Sequence, residues 1–275
     1  MKTAIISTTI DPASMNIKEN LLANFDFEKL DIEFDGFKIY ESKDIRLYTT
    51  DRMMITYENI DEVLPQKPDL VLFASKHKSA SGVASLTVHP IGNWNIAELG
   101  GQDNALCIAP AKYIQFALST IKEIAKNEKL SGFDLVQEVT HHGPYLKTPC
   151  MFIEIGSEEK GWINRLAGKV IAKTIMHILT TPLPEYEKIC FGIGGTHYAQ
   201  EFTKRAEFSN WAFGHIMPKH ALDHLNNEKV LAALHDTKDG GAKRVTVVVD
   251  WKGIGPYKDK IRKILQELNL TYELA

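Results

Sequence analysis

The strongest constraint on the fold is the alternation of short apolar runs with longer segments of helical periodicity. A run of about four to eight apolar residues suits a buried strand, whereas apolar residues three and four apart suit a helix lying on a sheet. Strands are predicted at residues 3–9, 44–50, 69–75, 84–89, 133–140, 150–156, 188–194, 214–218 and 244–250. Helices are predicted at residues 15–24, 111–128, 157–179 and 256–268, the third capped by Ser157. This order predicts an α/β fold, a twisted mixed sheet covered by helices on both faces.

The domain organisation follows from the length and from the absence of linkers. A chain of 275 residues is long enough for one large domain or two small ones. It contains no repeat, low-complexity tract or glycine-serine linker, and TTPLPEYEK (180–188) has the length of an ordinary connection between a helix and a strand. We therefore expect a single domain, 1–275.

The amino terminus and the cysteines indicate the compartment. The short apolar run near the start has no cleavage site after it, and nowhere do about eighteen apolar residues follow one another. Cys107, Cys150 and Cys190 are odd in number and far apart, which favours neither a disulfide framework nor a zinc ribbon. We expect a soluble, unsecreted protein of the reducing cytoplasm, without a membrane partner.

The charge argues against indiscriminate nucleic-acid binding, because the net charge is -3 and the pI is near 6.4. DNA is therefore not expected as a partner. The charge is uneven, however: residues 1–67 carry thirteen acidic and eight basic side chains, whereas residues 236–263 carry eight basic and four acidic ones. A localised basic side would suit an anionic partner, although a solvated amphipathic helix beside a charged loop would give the same pattern.

The motif EVTHHGP (138–144) combines a carboxylate with two adjacent imidazoles. Histidine suits both proton transfer near neutrality and zinc ligation. On an extended strand, Glu138 and His142 would share one face and His141 the other, so only one imidazole could face a given pocket unless the chain turns. Glu138 and His142 would lie roughly 13 Å apart. The alternative is one buried, hydrogen-bonded histidine and one solvated histidine.

The motif FGIGGTHYAQ (191–200) runs from an apolar strand into Gly194 and Gly195, where backbone can approach a ligand closely. We expect Thr196 to cap a helix with His197 in its first turn, so that free N–H groups could bind a phosphate, a carboxylate or an oxyanion. The glycine spacing matches neither a dinucleotide-binding nor a P-loop pattern.

Three further segments carry candidate residues. In GHIMPKHALDH, His215 lies on a short strand, and His220 and His224 have a spacing that could bind zinc on a helix or simply face solvent. In SKHKSASG (75–82), Lys76, His77 and Lys78 could contact phosphates or belong to a merely soluble loop. In LTVHPIGNWNIAELGG (86–101), Asn93 and Trp94 follow His89, and the indole could stack on a base or pack in the core.

Four histidines fall at predicted strand ends, which indicates a histidine-rich hydrolytic or metal site: His89, His141, His142 and His197. No serine lies in a Gly-x-Ser-x-Gly pattern, and no cysteine has the surroundings of a nucleophile. An activated water is therefore preferred to covalent catalysis.

The motifs FASKHKSASG, LTVHPIGNW, EVTHHGP, FIEIGSEEKGW, GIGGTHYA and GHIMPKH occur in this order, over roughly residues 1 to 260. In this combination the chain resembles the archaeal-type D-aminoacyl-tRNA deacylases, a family shared by archaea and plants. The resemblance implies a fold similar to the peptidyl-tRNA hydrolase and nucleoside phosphorylase type. It also implies a zinc-dependent hydrolase of the ester between a D-amino acid and the terminal ribose of tRNA. Lys76 stands where the family pattern leads us to expect arginine, and Gln200 where it leads us to expect proline.

The implied reaction assigns roles to the candidate residues. His141, His142 and His197 would bind the metal or transfer protons, with His215 as a further ligand. Glu138 or Glu154 would act as base or would orient a ligand. The amides of Gly194, Gly195 and Thr196 would bind the oxyanion or the terminal phosphate.

We expect the single-stranded acceptor end of tRNA to bind a basic patch, for which the candidates are Lys76, Lys78, Lys243, Arg244 and Lys252. No protein partner is evident. The alternatives are a small-substrate hydrolase or nucleoside phosphorylase, or a non-catalytic RNA-binding module. The deacylase interpretation requires His141 or His142 to lie within one ligand's reach of His197.

Overall fold

The protein is described by a computed structural model over residues 1–79, 82–237 and 245–275. In those ranges the chain forms twelve strands and eight α-helices. The strands are β1 (Thr3–Thr8), β2 (Glu28–Phe34), β3 (Phe37–Ser42), β4 (Ile45–Thr50), β5 (Leu70–Lys76), β6 (Ser85–Pro90), β7 (Asp134–Gln137), β8 (Cys150–Gly156), β9 (Lys188–Ile193), β10 (Trp211–Met217), β11 (Val245–Val249) and β12 (Tyr272–Leu274). The helices are α1 (Pro12–Asn24), α2 (Ile60–Val63), α3 (Ala111–Asn127), α4 (Glu159–Trp162), α5 (Arg165–Thr180), α6 (Gln200–Ser209), α7 (Asn227–Asp236) and α8 (Lys258–Glu267).

The larger sheet has the strand order β2-β3-β4-β1-β5-β8-β6-β7. Strands β4, β1, β5 and β8 run parallel, so their carboxyl ends meet at one edge of the sheet, where ligands usually bind. Strands β2 and β3 add an antiparallel hairpin at one side, and β6 runs antiparallel to β8. The mixed α/β class predicted from the sequence is confirmed.

The core of the larger sheet lies on both of its faces. Helices α1, α3 and α5 pack on one face through apolar residues such as Ile17, Ile121 and Ile171. The opposite face, which includes Phe73 and Phe152, is covered by α2 and by the irregular segments around residues 91–107 and 144–149.

The smaller sheet is fully parallel, in the order β10-β9-β11-β12. Residues that follow β7 join it to the larger sheet: the Val139 N–H donates to the His197 carbonyl at 3.1 Å, and the Thr140 N–H donates to the Ile216 carbonyl at 2.9 Å. Helix α3 contacts strands of both sheets. The single domain expected from the sequence stays a prediction.

Several predicted boundaries are wrong. Strand β7 ends at Gln137 rather than at residue 140, and the predicted helix 157–179 is two helices. Ser157 does not cap either of them; it is buried, and the side chain of Asn164 caps α5 by accepting from two backbone N–H groups. The hairpin β2-β3, helices α6 and α7 and strand β12 have no counterpart in the sequence prediction.

Two findings bear on compartment and chemistry. Among the described residues, no helix is both long enough and apolar enough to cross a membrane. Cys107, Cys150 and Cys190 are free and buried. The cytoplasmic location stays a prediction.

Candidate metal and hydrolytic site

The turn after β7 aims both adjacent histidines at one cleft. His141 donates from Nδ1 to the Val139 carbonyl at 2.8 Å, and His142 donates from Nδ1 to the Gly143 carbonyl at 2.7 Å. These bonds fix the tautomer and leave each Nε2 as a possible ligand atom. The chain can bend here because the strand has ended and His142 adopts a left-handed backbone conformation, with φ of 44°. The chain therefore makes the turn that both imidazoles need in order to face one pocket.

Glu138 is the buried anion at the centre of the cluster. Its carboxylate has no solvent exposure, and its Oε2 lies 2.9 Å from Nε2 of His197 and 3.5 Å from Nε2 of His141. Its other oxygen, Oε1, lies 3.2 Å from Nδ1 of His77. The turn after Gln137 replaces the extended geometry in which Glu138 would be too remote to pair within its own motif.

A second buried carboxylate, Glu154 on β8, lies beside two more imidazoles. Its Oε2 is 3.6 Å from Nε2 of His89 and 3.7 Å from Nδ1 of His77. His89 is fully buried and donates from Nδ1 to the Pro90 carbonyl at 3.0 Å. The sequence counts His89 among the strand-end histidines that indicate a hydrolytic or metal site but gives it no specific role, and it places His77 against the substrate.

His197 completes the cluster from the smaller sheet. Its ring centre lies 4.7 Å from that of His141 and 5.1 Å from that of His77. The spatial requirement that His141 or His142 lie within reach of His197 is therefore met. Its side chain is 42% exposed, so one side of the ring is open to the cleft.

The loop before His197 differs from the prediction. Helix α6 begins at Gln200, so Thr196 caps no helix, and its hydroxyl donates to the Tyr198 carbonyl at 3.1 Å. The Gly194 N–H donates to the Met217 carbonyl at 2.9 Å and is not available to an anion. Gly194 and Gly195 both have positive φ, which explains the glycine pair as a backbone requirement of the turn.

The electrostatic surroundings divide the imidazoles into two kinds. Burial, reinforced by the neighbouring imidazoles, lowers the pKa of His142 to about 4 and holds the pKa of His141 well below its ordinary value. For His77 and His89, burial acts in the same direction, but Glu154 and Glu138 outweigh it and raise the pKa. Despite its burial, the pKa of Glu154 is lowered by the adjacent imidazoles of His77 and His89. Neutral His141 and His142 are in the form that a metal requires.

The donor set fits a cation. Among the described residues, three groups offer ligand atoms that lie within 4.8 Å of one another: His89 with His141 and His142; His77 with Glu138 and His197; and His89 with Glu138 and Glu154. Nε2 of His77 and Nε2 of His89 are buried without a hydrogen-bond partner. Both carboxylate oxygens of Glu138 are buried as well, and although they lie 2.9 and 3.2 Å from ring nitrogens, neither contact has hydrogen-bond geometry. Buried polar atoms left in this state are costly, so the cluster is suited to holding a metal ion.

Most of the cluster lines a cleft of about 570 Å³ at the carboxyl edge of the larger sheet, with His89 and Glu138 buried behind it. One wall is apolar and is formed by side chains that follow β1 and β4 and by Leu99. Lys76 and Lys78, at the end of β5 and just after it, contribute positive charge. The cleft is lined by Thr8, Ile10, Asp11, Met53, Met54, Ile55, Ser75, Lys76, His77, Lys78, Leu99, His141, His142, Glu154 and His197.

His215 does not belong to this cluster, and its assignment as a metal ligand is wrong. It is fully buried, donates from Nε2 to the Cys107 carbonyl at 2.8 Å and pairs through Nδ1 with the Thr140 hydroxyl at 3.0 Å. Both ring nitrogens are therefore occupied. Burial lowers the pKa of His215 to about 4, which keeps the ring neutral in this role.

Asn93 and Trp94 have structural roles rather than the predicted contacts with substrate. Trp94 is 6% exposed and donates from Nε1 to the Thr140 carbonyl at 3.2 Å, so its ring is not free to stack on a base. Asn93 donates from Nδ2 to the Gly100 carbonyl at 2.9 Å and shapes the loop that carries Leu99. The indole of Trp94 packs in the core, which was the alternative left open by the sequence.

His220 and His224 lie in a 3₁₀ helix, Lys219–His224, and both are exposed. Residues four apart do not align in that geometry, and neither histidine belongs to the metal-suited groups found among the described residues.

Of the residues predicted to form a basic patch, the structure describes three. The Lys76 ammonium lies 5.3 Å from the ring centre of Trp162, and Lys78 is exposed at the cleft. Lys252 is exposed in the turn after β11, and this turn packs against Gly194. Lys243 and Arg244 lie outside the described residues.

Comparison with known proteins points to one family. The sequence model of the D-aminoacyl-tRNA deacylase family matches residues 64–273. D-aminoacyl-tRNA deacylases of Thermococcus kodakarensis and Pyrococcus furiosus are each 40% identical to this chain, with 98% of both sequences covered. The D-aminoacyl-tRNA deacylase of Methanosarcina barkeri is 32% identical, over 98% of this chain and 88% of its own.

One solved structure shares the fold over nearly the whole chain. A crystal structure described as a conserved protein of unknown function aligns with a TM-score of 0.87 and 28% identity, over 99% of this chain and 95% of its own. A Campylobacter jejuni 5'-methylthioadenosine/S-adenosyl homocysteine nucleosidase aligns with a TM-score of 0.41 and 14% identity, over 65% of this chain and 98% of its own. At that score the second likeness supports no inference about this chain.

Proposed function

Because the chain belongs to the D-aminoacyl-tRNA deacylase family, we propose that it hydrolyses the ester between a D-amino acid and the 3'-terminal ribose of tRNA. One observation carries the proposal: five imidazoles and two buried carboxylates form one cluster, and five of these seven side chains line an open cleft. These residues are His77, His89, His141, His142, His197, Glu138 and Glu154. Ester hydrolysis needs a water made nucleophilic, charge stabilisation at the carbonyl and a proton for the departing hydroxyl, all of which such a cluster can supply.

We propose zinc as the metal, because zinc prefers imidazole nitrogen with carboxylate oxygen as an additional ligand. His89, His141 and His142 would hold one ion, and His77, Glu138 and His197 form a second possible set. When bound, zinc supplies a Lewis acid for the carbonyl and lowers the pKa of a coordinated water to about 7. The buried atoms of His89 and Glu138 that lack hydrogen-bond partners support this assignment.

The protein's own groups account for orientation and proton transfer. Glu138 Oε2 lies 2.9 Å from Nε2 of His197, an imidazole that remains open to the cleft. We assign to His197 the proton for the ribose oxygen, and to Glu138 the orientation of that imidazole. Glu154 lies 3.7 Å from Nδ1 of His77 and 3.6 Å from Nε2 of His89 and supplies negative charge on the other side of the cluster.

The substrate would enter with its phosphates toward the lysines. Lys76 and Lys78 lie on the cleft edge at the end of β5, where cations can bind the backbone of the single-stranded acceptor end. The amides of Gly195 and Thr196 remain our candidates for the oxyanion or the terminal phosphate.

The decisive experiment is incubation of the purified protein with matched D- and L-aminoacyl-tRNA, with and without a chelator. Selective release of the D-amino acid that is lost with the chelator and restored by zinc is expected. Release of neither amino acid would overturn the proposed function. Equal hydrolysis of a free small ester and of the charged tRNA would favour a small-substrate hydrolase instead.

A further inference from the structure

We propose that the apolar wall of the cleft, formed by Ile10, Met53, Ile55 and Leu99, receives the side chain of the D-amino acid. This inference rests on the proposed function and locates its substrate specificity. Ile10, Met53 and Leu99 are 52%, 54% and 59% exposed, so large apolar side chains face solvent at one lip of a polar site. Exposed apolar surface of this kind next to a reactive cluster usually marks a binding surface.

The apolar wall is attached directly to the turn that carries His142. The Gly143 N–H donates to the Leu99 carbonyl at 3.1 Å, which places Leu99 next to the imidazole turn. A Cβ added at Gly143 would lie 2.1 Å from the Gly101 nitrogen and 2.5 Å from the Ile55 carbonyl oxygen, so the three segments meet backbone to backbone. A group bonded to a carbonyl carbon at the cluster can therefore reach the apolar wall.

The shape of the apolar wall is held by Glu58. Its Oε1 accepts from the Gly101 N–H and its Oε2 accepts from the Tyr145 N–H, both at 2.6 Å. These bonds tie the loop of Leu99 to the segment after His142 and engage both oxygens of a carboxylate near the apolar wall. The surface offered to a ligand is thus preorganised and apolar.

The lysines lie on a different part of the same edge. Met53 and Ile55 follow β4, whereas the lysines lie at the end of β5, with β1 between those strands in the sheet. Two strand spacings of about 4.8 Å separate the two regions, a distance of roughly 10 Å. Asp11, which lies between them, accepts backbone N–H bonds from Ala13, Ser14 and Lys76 and is engaged by the protein itself.

This separation decides which part of the substrate meets the apolar wall. The ribose and its phosphates leave the ester carbonyl on one side, and the amino-acid side chain leaves it on the other. Anionic phosphates favour Lys76 and Lys78, so the uncharged apolar wall is left to the side chain. Large apolar and aromatic D-amino acids should therefore bind better than D-alanine or D-aspartate.

Binding of non-hydrolysable analogues tests the inference without requiring turnover. The probes are 3'-amino-3'-deoxyadenosine carrying D-phenylalanine or D-alanine in amide linkage, titrated calorimetrically into the purified protein. Leu99→Asn is expected to weaken the binding of the phenylalanyl analogue about tenfold and the binding of the alanyl analogue by less than about twofold. Met53→Asn, on a separate segment, should act in the same direction. Leu231→Asn, at a 52% exposed leucine on α7 outside the cleft, should change neither.

The outcomes separate this inference from the proposed function. Equal weakening of both analogues would assign the apolar wall to the shared adenosine, and no weakening would leave it without a role; either result overturns the inference. Hydrolysis of D-phenylalanyl-tRNA by the unaltered protein is measured in parallel. Its absence would overturn the proposed function, whereas loss of the phenylalanyl preference on Leu99→Asn would still support the apolar wall as a side-chain site.

Discussion

Oε2 of Glu138 lies 2.9 Å from Nε2 of His197, although the two residues follow strands of different sheets. The Val139 N–H bond to the His197 carbonyl fixes this approach at the backbone level. The reactive cluster is therefore built at the junction of the two sheets, and neither sheet holds it alone.

An isosteric, uncharged replacement of Glu138 tests the role of this residue at the junction of the two sheets. Glu138→Gln removes the negative charge that pairs with His77, His141 and His197. We expect metal affinity and deacylation to fall about 10-fold to 100-fold, the usual effect of losing a group that orients metal ligands. Chelator competition with zinc and single-turnover hydrolysis measure the two effects. Glu228→Gln, at an exposed residue of α7, is the control, and an unchanged affinity in Glu138→Gln would remove Glu138 from the metal site.

Replacing either of two fully buried histidines by alanine should have different effects, on metal content in one case and on stability in the other. His89→Ala removes a ligand atom and should lower the metal content of the folded protein. His215→Ala leaves the Cys107 carbonyl unpaired and should reduce the free energy of unfolding by about 2 to 4 kcal/mol, with metal content per folded molecule unchanged. Elemental analysis and urea unfolding give the two readings. Metal loss in His215→Ala but not in His89→Ala would contradict this prediction and would show that His215 binds the metal.

The Glu58 bonds should stabilise the cleft wall. Glu58→Ala leaves the Gly101 and Tyr145 N–H groups without their acceptor and should cost about 1 to 3 kcal/mol in the free energy of unfolding. Hydrogen exchange should accelerate at those two amides. Glu62→Ala, which breaks an exposed pair with Lys147, should lower the free energy of unfolding far less than Glu58→Ala does. Equal costs for the two variants would show that Glu58 contributes no more than a surface charge.

The buried thiols should be unreactive in the native state. Burial raises the pKa of Cys150 and of Cys190, so the native thiolate fraction at pH 8 is below that of a free cysteine. A disulfide reagent should modify them only after unfolding by urea. Because the unfolded thiols ionise first, their contribution to stability is complete below about pH 8.5 and declines as the pH rises above it. Rapid labelling of the native protein would contradict this.

The salt dependence of tRNA binding should show whether the lysines at the cleft contact phosphates. Replacing both Lys76 and Lys78 by alanine should weaken tRNA binding and make the slope of log K against log salt shallower. The expected change is about 0.7 for each single-strand phosphate that the lysines neutralise in the unaltered protein. Lys126→Ala, at an exposed position near the end of α3, provides the control. A slope that stays the same in the double variant would exclude both lysines from phosphate binding.

Local sequence predicted the interior of the fold well, because strands β1, β5 and β8 are apolar runs buried on both faces. The hairpin β2-β3 escaped prediction because most of β2 is exposed and its residues 28–34 are mostly charged. Helices α6 and α7 bury few residues, so neither shows a strong apolar stripe. Sequence periodicity reports burial, and it weakens at the edges of the molecule.

The sequence by itself determined the α/β class, the family and the density of histidines at strand ends. Only the tertiary structure decided which histidines form the site: His77 and His89 meet Glu154, whereas His215 engages Thr140 and Cys107 through its two nitrogens. Each of these partners comes from a segment remote in the chain. An imidazole has the same chemistry as a ligand and as a hydrogen-bonded core residue, and the atoms that surround it after folding determine which role it takes.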